Sequence, residues 1–405
     1  MNVYIGIDWS ENKHDICLMQ ESGEVLRILQ IPHSIAGFRE LDKVRQSFGL
    51  GVQDVVVGLE TAHNLLVDYL WEQGYSTIYI LPPHAVKSAQ GRFRHSGAKD
   101  DPWDARLIAD ILRTDRRRYS PWKADSPITR QIRAEVRFVG QLGQELVRDV
   151  NRLRSILLRY YPAAAEAFSH LEGVVSLAFL QSYPTPQQAE SLSYEDFKAF
   201  LREHHHTQKR VWPKIYTRIH NNLMQPNPDV EAAYSPLAQA QARILEQLVK
   251  SRNDSLARLG KLYLQHPDHE IYDSLPRVGA LIGPALLAKL GDDRNRYPAL
   301  AVLQAVAGTC PVTNRSGKYS HVYFRRACDH EFRHIVQQWA RLTLDASPWA
   351  VTYYQSVRPH CKSDSDAIRR LANRWLGVLW KLWVDRTIYD ETFHLTQHAL
   401  RNKSR

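Results

Sequence analysis

The stretch VYIGIDWSENKHDICLMQESGEVLRILQI, residues 3–31, contains three short apolar runs separated by polar turns. The runs cover residues 3–7, 14–20 and 24–31. Each run has the length of a strand, and the turns between them are too short for a crossover connection. The stretch therefore predicts three consecutive antiparallel strands.

Segments of helical and strand character alternate after these three runs. Residues 35–48 and 64–72 have a helical pattern, whereas DVVVGLE at 54–60 and the segment 77–81 are strand-like. An antiparallel meander that passes into β-α-β-α units predicts a mixed sheet with helices packed on it. This order of elements is similar to that of the ribonuclease H-like fold.

Four carboxylates occur at ordered positions in this pattern. Asp8 ends the first strand and Glu60 the fourth, and the ribonuclease H-like fold places these strands side by side. Asp101 and Asp104 lie three residues apart at the start of an apolar helix, in SGAKDDPWDARLIAD at 96–110. Neighbouring carboxylates repel one another unless they are solvated or bridged by a cation. Oxygen ligands without histidine or cysteine favour Mg²⁺ or Mn²⁺.

The same acids also have an ordinary structural interpretation. Aspartate is common where a strand enters a turn. With Pro102 in the first helical position, Asp101 would be the N-cap of its helix and Asp104 would project from the first turn. The ordered occurrence of all four acids favours the metal site over four unrelated turn and cap residues.

Composition limits the class of protein. The chain has 405 residues and a formal net charge of +10, and 44% of its residues are hydrophobic. A chain of this length can bury two or three cores, and its positive charge favours a polyanionic partner, above all nucleic acid. The cysteines have no metal-ligand spacing, and no apolar run reaches the ~18 residues of a membrane span. We therefore expect a cytoplasmic protein without a membrane anchor.

Two long helical patterns dominate the middle of the chain. Residues 128–157 carry apolar side chains at steps of three and four, with Arg148 and Arg152 among the arginines on the other faces. A second apolar seam, residues 237–264, can pack antiparallel on the first or pair with another chain. Residues 165–235 between the seams have no periodicity that indicates chemistry.

Two features mark the last third of the chain. Gly279 and Gly283 precede an apolar helix in a pattern that resembles a helix-hairpin-helix element, whose glycine turn lets backbone N–H groups approach a phosphate. A glycine-punctuated helix pair inside a core is the alternative. Ser316 then lies in a basic loop, and a serine hydroxyl needs a base or a metal to act as a nucleophile. The basic residues around it are Arg315, Lys318, Arg325 and Arg326.

Together these motifs resemble one family. With Asp8, Glu60, K-x-D-x-x-D-A at 99–105, G-x-x-x-G-P at 279–284 and Ser-Gly at 316–317 in this order, the chain resembles the DEDD transposases of insertion sequences. These are bridge-RNA-guided recombinases related to the pilin-gene invertases. The set is specific, although no single motif is, and the likeness covers nearly the whole chain.

The resemblance implies an α/β domain followed by helical regions. A RuvC-like (ribonuclease H-like) DEDD domain would occupy residues 1–120. A long coiled-coil segment with an inserted region near 165–235 would occupy 121–268. A mostly helical transposase domain with the helix-hairpin-helix-like element would occupy 269–405.

The resemblance also implies roles for particular residues. Asp8, Glu60, Asp101 and Asp104 would be the metal ligands, with Asp100 as an alternative to Asp101, and Ser316 would join covalently to a DNA phosphate. The basic residues expected to contact nucleic acid are Lys99, Arg148, Arg152, Arg315, Lys318, Arg325 and Arg326.

The partners and reaction follow from the same resemblance. A structured noncoding guide RNA of the element would pair with target and donor DNA, so that the protein reads shape and backbone. Ser316 would attack with the help of the metal, and a freed strand end would later attack the phosphoserine link and exchange strands. Since this serine lies some two hundred residues from the acids, the two must meet by folding of one chain or between protomers. We predict a homodimer or tetramer with composite sites, in a prokaryotic cytoplasm.

Two other functions remain open from the sequence. A metal-dependent, structure-specific DNA nuclease similar to a Holliday-junction resolvase would use the same carboxylates with water as the nucleophile. A nucleic-acid-binding protein without catalysis would use the acids only as helix caps. Loss of activity after Asp8→Asn would separate an enzyme from a binding protein, because an amide is a poor Mg²⁺ ligand.

Overall fold

The computed structural model describes residues 2–62, 64–89, 101–221, 226–316, 319–393 and 395–396. The chain forms two compact units. The first comprises residues 1–126 together with 290–302, and the second comprises 127–289 together with 303–405. The fold is mixed α/β at the N-terminus and mainly helical in the C-terminal part, as the sequence predicted.

The first unit contains a five-stranded mixed sheet. Its strands are β1 (Val3–Trp9), β2 (Lys13–Met19), β3 (Val25–Pro32), β4 (Val55–Leu59) and β5 (Ile78–Ile80), and its helices are α1 (Ile35–Ser47), α2 (Leu65–Glu72), α3 (Pro83–Ala89) and α4 (Asp101–Asp115). The strand order is β3-β2-β1-β4-β5. The meander β1-β2-β3 is antiparallel, whereas β1, β4 and β5 run parallel to one another. The predicted strands and helices therefore form, with ends that differ by one or two residues.

The two faces of the sheet bury different cores. Alternate residues of β1 point to opposite faces, and Val3, Ile5 and Ile7 pack with side chains of α1 and α2. Tyr4 lies on the other face, in a cluster that includes apolar residues of α3 and α4. Helices on both faces explain why the central strands β1 and β4 are almost continuously apolar.

Helix α4 lies unusually close to the sheet because two glycines face it. Gly6 of β1 and Gly58 of β4 are register partners in the parallel pair. A Cβ atom at Gly6 would lie 2.0 Å from the carbonyl oxygen of Ala105 and 2.4 Å from the backbone nitrogen of Ala109. A Cβ at Gly58 would meet side-chain atoms of Leu112, the nearest at 2.6 Å. Glycine at these positions lets helix backbone and strand backbone touch.

The segment 290–302 belongs to the first unit through charged contacts. Arg296 Nη2 donates to Asp125 Oδ1 at 2.8 Å, and the Asp125 carboxyl is almost completely buried. Asp292 accepts from the backbone N–H of Ser126 at 2.6 Å. These bonds join two stretches of sequence more than 160 residues apart.

The second unit is built mainly of helices. They are α5 (Pro127–Tyr160), α6 (Pro162–Ala167), α7 (Val174–Ser182), α8 (Pro186–Glu190), α9 (Tyr194–Glu203), α10 (Trp212–Asn221), α11 (Pro228–Leu264), α12 (His269–Asp273), α13 (Gly279–Leu290), α14 (Leu300–Val306), α15 (His330–Leu342), α16 (Pro348–Val357) and α17 (Asp364–Asp385). The last residue of α13 and the first three residues of α14 are part of the segment 290–302 of the first unit. A hairpin of β6 (Val312–Ser316) and β7 (Tyr319–Tyr323) follows α14.

The two long helices α5 and α11 pack against each other within the chain. Arg258 of α11 forms an ion pair with Glu135 near the start of α5, at 2.9 Å. Leu153 and Leu157 near the end of α5 share a core with Leu245 in the first half of α11. The pair is therefore antiparallel, which is one of the two arrangements that the sequence left open.

The region between these helices is a small helical assembly. Helices α6 to α10 bury aromatic side chains that pack on the α5 and α11 core, among them Phe179, Phe197, Phe200 and Trp212. His206 Nδ1 accepts a 2.9 Å hydrogen bond from Trp212 Nε1. The absence of a regular period in this sequence reflects five short helices in place of one long one.

Of the two glycines predicted to form a turn, Gly279 and Gly283, only the first lies where the helix begins. Gly279 begins α13 with a φ of +54°, a conformation that favours glycine. Gly283 is not in the turn as predicted but inside the helix, where an added Cβ would lie 2.9 Å from the Tyr263 hydroxyl. Its small size therefore serves the packing of α13 on α11.

The C-terminal helices enclose a tryptophan core. Trp339 of α15 and Trp375 of α17 lie with ring centroids 5.1 Å apart, and both are fully buried. Trp349 packs edge-on against Trp375 at 4.8 Å. Trp375 and Trp383 are therefore core residues. Within the described ranges, no helix is long and apolar enough to cross a membrane.

We predict that Gly6→Ala destabilises the protein by about 3 kcal/mol or more, because the new methyl group meets helix backbone that cannot rotate away. Gly58→Ala should cost less, since the Leu112 side chain can move. Chemical denaturation measures both effects. Gly140→Ala is the control: it lies in α5 with open space around the added Cβ, and should raise stability by up to about 1 kcal/mol. Equal stability of Gly6→Ala and the wild type would contradict the packing of α4.

Candidate active site

The register of the parallel strands aligns Asp8 with Glu60. Gly6 pairs with Gly58, and each acid lies two residues further along its strand. Asp8 is the sixth residue of β1, and Glu60 directly follows β4. Both are half-buried. Neighbouring strands lie about 4.8 Å apart, so the two acids occupy one edge of the sheet.

The strand also defines the face of the sheet on which Asp8 lies. Residues two apart in a strand share a face, so Asp8 is on the side of Gly6, where α4 packs. The predicted placement of the first and fourth strands side by side is confirmed, and each acid lies at the carboxyl end of its strand.

Helix α4 directs its first turn toward this edge. The Ala105 carbonyl lies over Gly6, and Arg116, directly after α4, places its guanidinium 5.6 Å from the Tyr4 ring near the start of β1. The helix thus runs opposite to β1, and its N-terminal end is on the Asp8 side. Asp104, one residue before Ala105, is half-buried there.

The remaining members of the predicted ligand set are only partly described. Asp101 is the first residue of α4, one position inside the helix relative to the predicted N-cap, and its side chain lies outside the described part. Pro102 is tolerated because N–H groups of the first turn have no helical partner. Lys99 and Asp100 lie outside the described residues altogether.

The donor chemistry fits a hard divalent cation. The candidate ligands at this edge are carboxylates, and oxygen donors are what Mg²⁺ and Mn²⁺ select. Among the described side chains, no group of three or more His, Cys, Asp or Glu is arranged to hold a metal ion. The site of four carboxylates therefore stays a prediction, and the side chain of Asp101 lies outside the described part of the chain.

Asp15 is an acid at the same edge that the sequence analysis missed. It is the register partner of Asp8 in the antiparallel β1-β2 pair, and it shares the α4 face with Cys17, two residues on. The side chain is buried, and its Oδ1 accepts a 2.9 Å hydrogen bond from Gln30 Nε2 on β3. The available signal was a charged residue directly before the apolar run of residues 16–19 in the same strand.

The opposite face of this edge carries a pair of histidines. His14 Nε2 and His33 Nδ1 lie 2.9 Å apart, and His14 stacks on Trp9, the residue after Asp8. Burial lowers the pKa of His14 to about 4, and the neighbouring His33 acts in the same direction, while Asp15 opposes them. His14 is therefore a neutral core residue beneath the end of β1 at neutral pH.

Ser316 belongs to the second unit and lies in a strand rather than in the predicted loop. It is the last residue of β6 and pairs with Tyr319, the first residue of β7. The serine is exposed. Gly317 and Lys318, between the strands, lie outside the described residues.

The predicted basic residues differ in their surroundings. Arg148 and Arg152 on α5 each pair with an acid one turn earlier, Glu145 and Asp149. Arg315, next to Ser316 in β6, and Arg326, three residues after β7, are exposed. Arg325 Nε donates to the Cys310 carbonyl at 3.3 Å, which ties the two ends of the β6-β7 hairpin together.

Comparison with known families gives two matches, one in the N-terminal and one in the C-terminal part of the chain. Residues 5–162 match the DEDD transposase family of IS110 elements. Residues 269–355 match the transposases of the IS116/IS110/IS902 family. The first match contains Asp8, Glu60, Asp101 and Asp104, and the second contains Ser316.

Individual relatives are similar over almost their full length. The "mini-circle putative transposase for IS117" of Streptomyces coelicolor is 30% identical over 400 residues, which cover 96% of each chain. The uncharacterized 42 kDa protein of insertion element IS900 from Mycobacterium paratuberculosis is 27% identical, with 96% of this chain and 97% of that protein covered. The uncharacterized 44.8 kDa protein of IS116 from Streptomyces clavuligerus is 24% identical, with 98% of each covered.

We predict that the His14 pair makes stability depend on pH. Because the folded pKa of about 4 lies below the unfolded value of 6.5, the unfolded state binds the proton first. Stability is then lost as the pH falls from 6.5 to 4, by up to roughly 3 kcal/mol. The wild type should lose stability through this window, whereas His14→Gln, which lacks the titrating group, should not. Their denaturation midpoints should therefore converge as the pH falls. His330→Gln, at an exposed histidine of α15, is the control and should leave the pH profile of the wild type unchanged.

Proposed function

The chain belongs to the IS110 family of transposases, and from this premise we propose that it cuts and exchanges DNA strands through a covalent phosphoserine intermediate. The observation that carries the proposal is the parallel pairing of β1 with β4, whose register stops two residues before Asp8 and Glu60, together with the packing on this pair of α4, which begins at Asp101. As a transposase the protein is an enzyme that acts on DNA.

The proposal assigns the metal site to the first unit, whose sheet we take to be RuvC-like. Asp8, Glu60, Asp101 and Asp104 would hold Mg²⁺ or Mn²⁺, and a divalent ion there polarises a phosphate and lowers the pKa of a nearby hydroxyl. Asp15 lies opposite Asp8 and adds negative charge to the same edge. Its bond from Gln30 holds the carboxylate in place, so we assign it a positioning role.

The proposal assigns the nucleophile to the second unit. The Ser316 Oγ would attack a DNA phosphorus and give its proton to a carboxylate of the Asp8 edge, and the 3′ or 5′ oxygen of the broken strand would leave and take up that proton. A freed strand end would then attack the phosphoserine and release the serine hydroxyl, so no water is consumed. The acids and Ser316 lie some two hundred residues apart in the sequence, and we propose a dimer or tetramer in which composite sites assemble on DNA.

Guidance by a structured noncoding RNA is also part of the proposal. The formal charge of +10 and the arginines of α5 and the β6-β7 hairpin support a protein that contacts phosphates, which position a nucleic acid without specifying its sequence. Target choice would then rest on base pairing between the guide RNA and the target and donor DNA.

We predict that strand transfer requires both the acids and a divalent ion. EDTA should abolish the reaction and added Mg²⁺ should restore it, whereas Asp8→Asn should remain inactive at any Mg²⁺ concentration, with a loss of at least about 10³-fold. Strand-transfer products on gels provide the measurement. Glu21→Gln, an exposed acid in the β2-β3 turn, should retain wild-type activity. Strand transfer by Asp8→Asn at the wild-type rate would reject the metal assignment.

We predict that Ser316→Ala forms no covalent protein–DNA adduct, because the attacking oxygen is gone. Denaturing gels of the protein with a nicked suicide substrate detect the adduct in the wild type. Ser320→Ala is a matched control, since Ser320 is an exposed serine on the opposite face of the same hairpin, and should form the adduct normally. Metal-dependent cleavage that persists in Ser316→Ala would instead favour the nuclease with water as its nucleophile.

A further inference from the structure

The β6-β7 hairpin has two faces of different composition. Cross-strand partners share a face and alternate residues change face. The pairs Val312–Tyr323, Asn314–His321 and Ser316–Tyr319 therefore lie on one face. We call this the ring face, because its β7 residues are Tyr319, His321 and Tyr323. The other face carries Thr313, Arg315, Ser320 and Val322.

The rings form a row that is open to solvent. Tyr319 is 74% exposed and Tyr323 52% exposed, and the ring centroids of His321 and Tyr323 are 6.1 Å apart. The row begins beside Ser316, since Tyr319 is its register partner. Exposed aromatic side chains grouped on one surface mark a binding site more often than scattered ones do.

The base of the hairpin is fixed to the helical body. The ring of Phe324, directly after β7, lies 4.4 Å from the Arg333 guanidinium of α15 and 5.6 Å from that of Arg369 in α17. The Arg325 bond to the Cys310 carbonyl closes the same end. The aromatic side chain after the strand is thus used for anchoring, whereas the ring face remains uncovered in the described structure.

The charges around the hairpin select a negative partner. Arg326 is exposed after β7, and Arg315 is exposed on the opposite face of this narrow two-stranded hairpin. Exposed rings combined with cations are the arrangement that binds a single nucleic acid strand, in which bases stack on the rings and arginines contact the phosphates. A duplex does not offer its base faces, because they are already stacked on each other.

We propose that the ring face binds an unpaired stretch of DNA, with successive bases stacked on Tyr319, His321 and Tyr323. The choice of DNA rests on the proposed function, because Ser316 on the same face would attack a DNA phosphate. The strand held by the rings would then be the one that contains the scissile phosphate, opened from its complement next to the cleavage point.

Equilibrium binding of a fluorescent oligothymidine to the full chain tests the proposal. The assay uses fluorescence anisotropy at moderate salt with EDTA present, so that no chemistry occurs. Tyr319→Ala and Tyr323→Ala should each weaken binding by roughly tenfold or more, since loss of one stacked base contact has this size. Tyr323→Phe keeps the ring and should bind nearly as the wild type does.

A matched control lies on the opposite face of the same strand. Val322 is 67% exposed, and Val322→Ala should leave the affinity unchanged. A fully paired duplex should bind with less dependence on Tyr319 and Tyr323 than the single strand does. Unchanged melting temperatures would confirm that the tyrosine variants fold.

Several outcomes would overturn the proposal. Wild-type affinity of both tyrosine variants would do so, and so would an equal loss in Val322→Ala. Tighter, tyrosine-dependent binding of oligouridine than of oligothymidine would assign the ring face to RNA instead. The test is separate from the serine chemistry, because binding is measured without catalysis: the rings can bind DNA if Ser316 forms no adduct, and adduct formation can survive if the rings do not bind DNA.

Discussion

Direct contact between the backbones of β1 and α4 is the constraint on which the candidate metal site depends. The helix reaches the sheet only because Gly6 has no side chain to hold Ala105 and Ala109 away. This close approach fixes the height of α4 above the strands, and the direction of the helix brings Asp104 to the edge of Asp8. A larger residue at Gly6 would therefore move a carboxylate as well as loosen a core.

The strands and helices of the first unit could be predicted because their signals are local. Apolar runs, turn residues and the Asn64 cap lie within a few residues of the elements that they define. The packing of α4 on Gly6 could not be predicted. A glycine in a strand indicates that another segment approaches closely, but it does not show which segment. The return of residues 290–302 to the first unit depends in the same way on a distant partner, Asp125.

The residues of the candidate site also differ in whether local sequence signals or distant partners determine their positions. Asp8 and Glu60 were predictable because both end apolar strands, and the resemblance supplied the adjacency of those strands. Asp15 was missed because its position opposite Asp8 follows from the β1-β2 register, which the residues alone do not show. Ser316 was identified by its motif, but its strand pairing gives it a face and neighbours that a loop would not have.

The two sets of proposed catalytic groups are built with different rigidity, and this suits what each must do. Carboxylates that bind one cation must be held close together against their repulsion, which a buried sheet edge with a packed helix can do. A two-stranded hairpin has little stability of its own, and this one is anchored at its base through Phe324 and Arg325. Under the proposed function, a DNA strand stacked on the ring face would add contacts that the hairpin otherwise lacks. Substrate binding would then order the nucleophile, so that Ser316 is positioned when the phosphate is present.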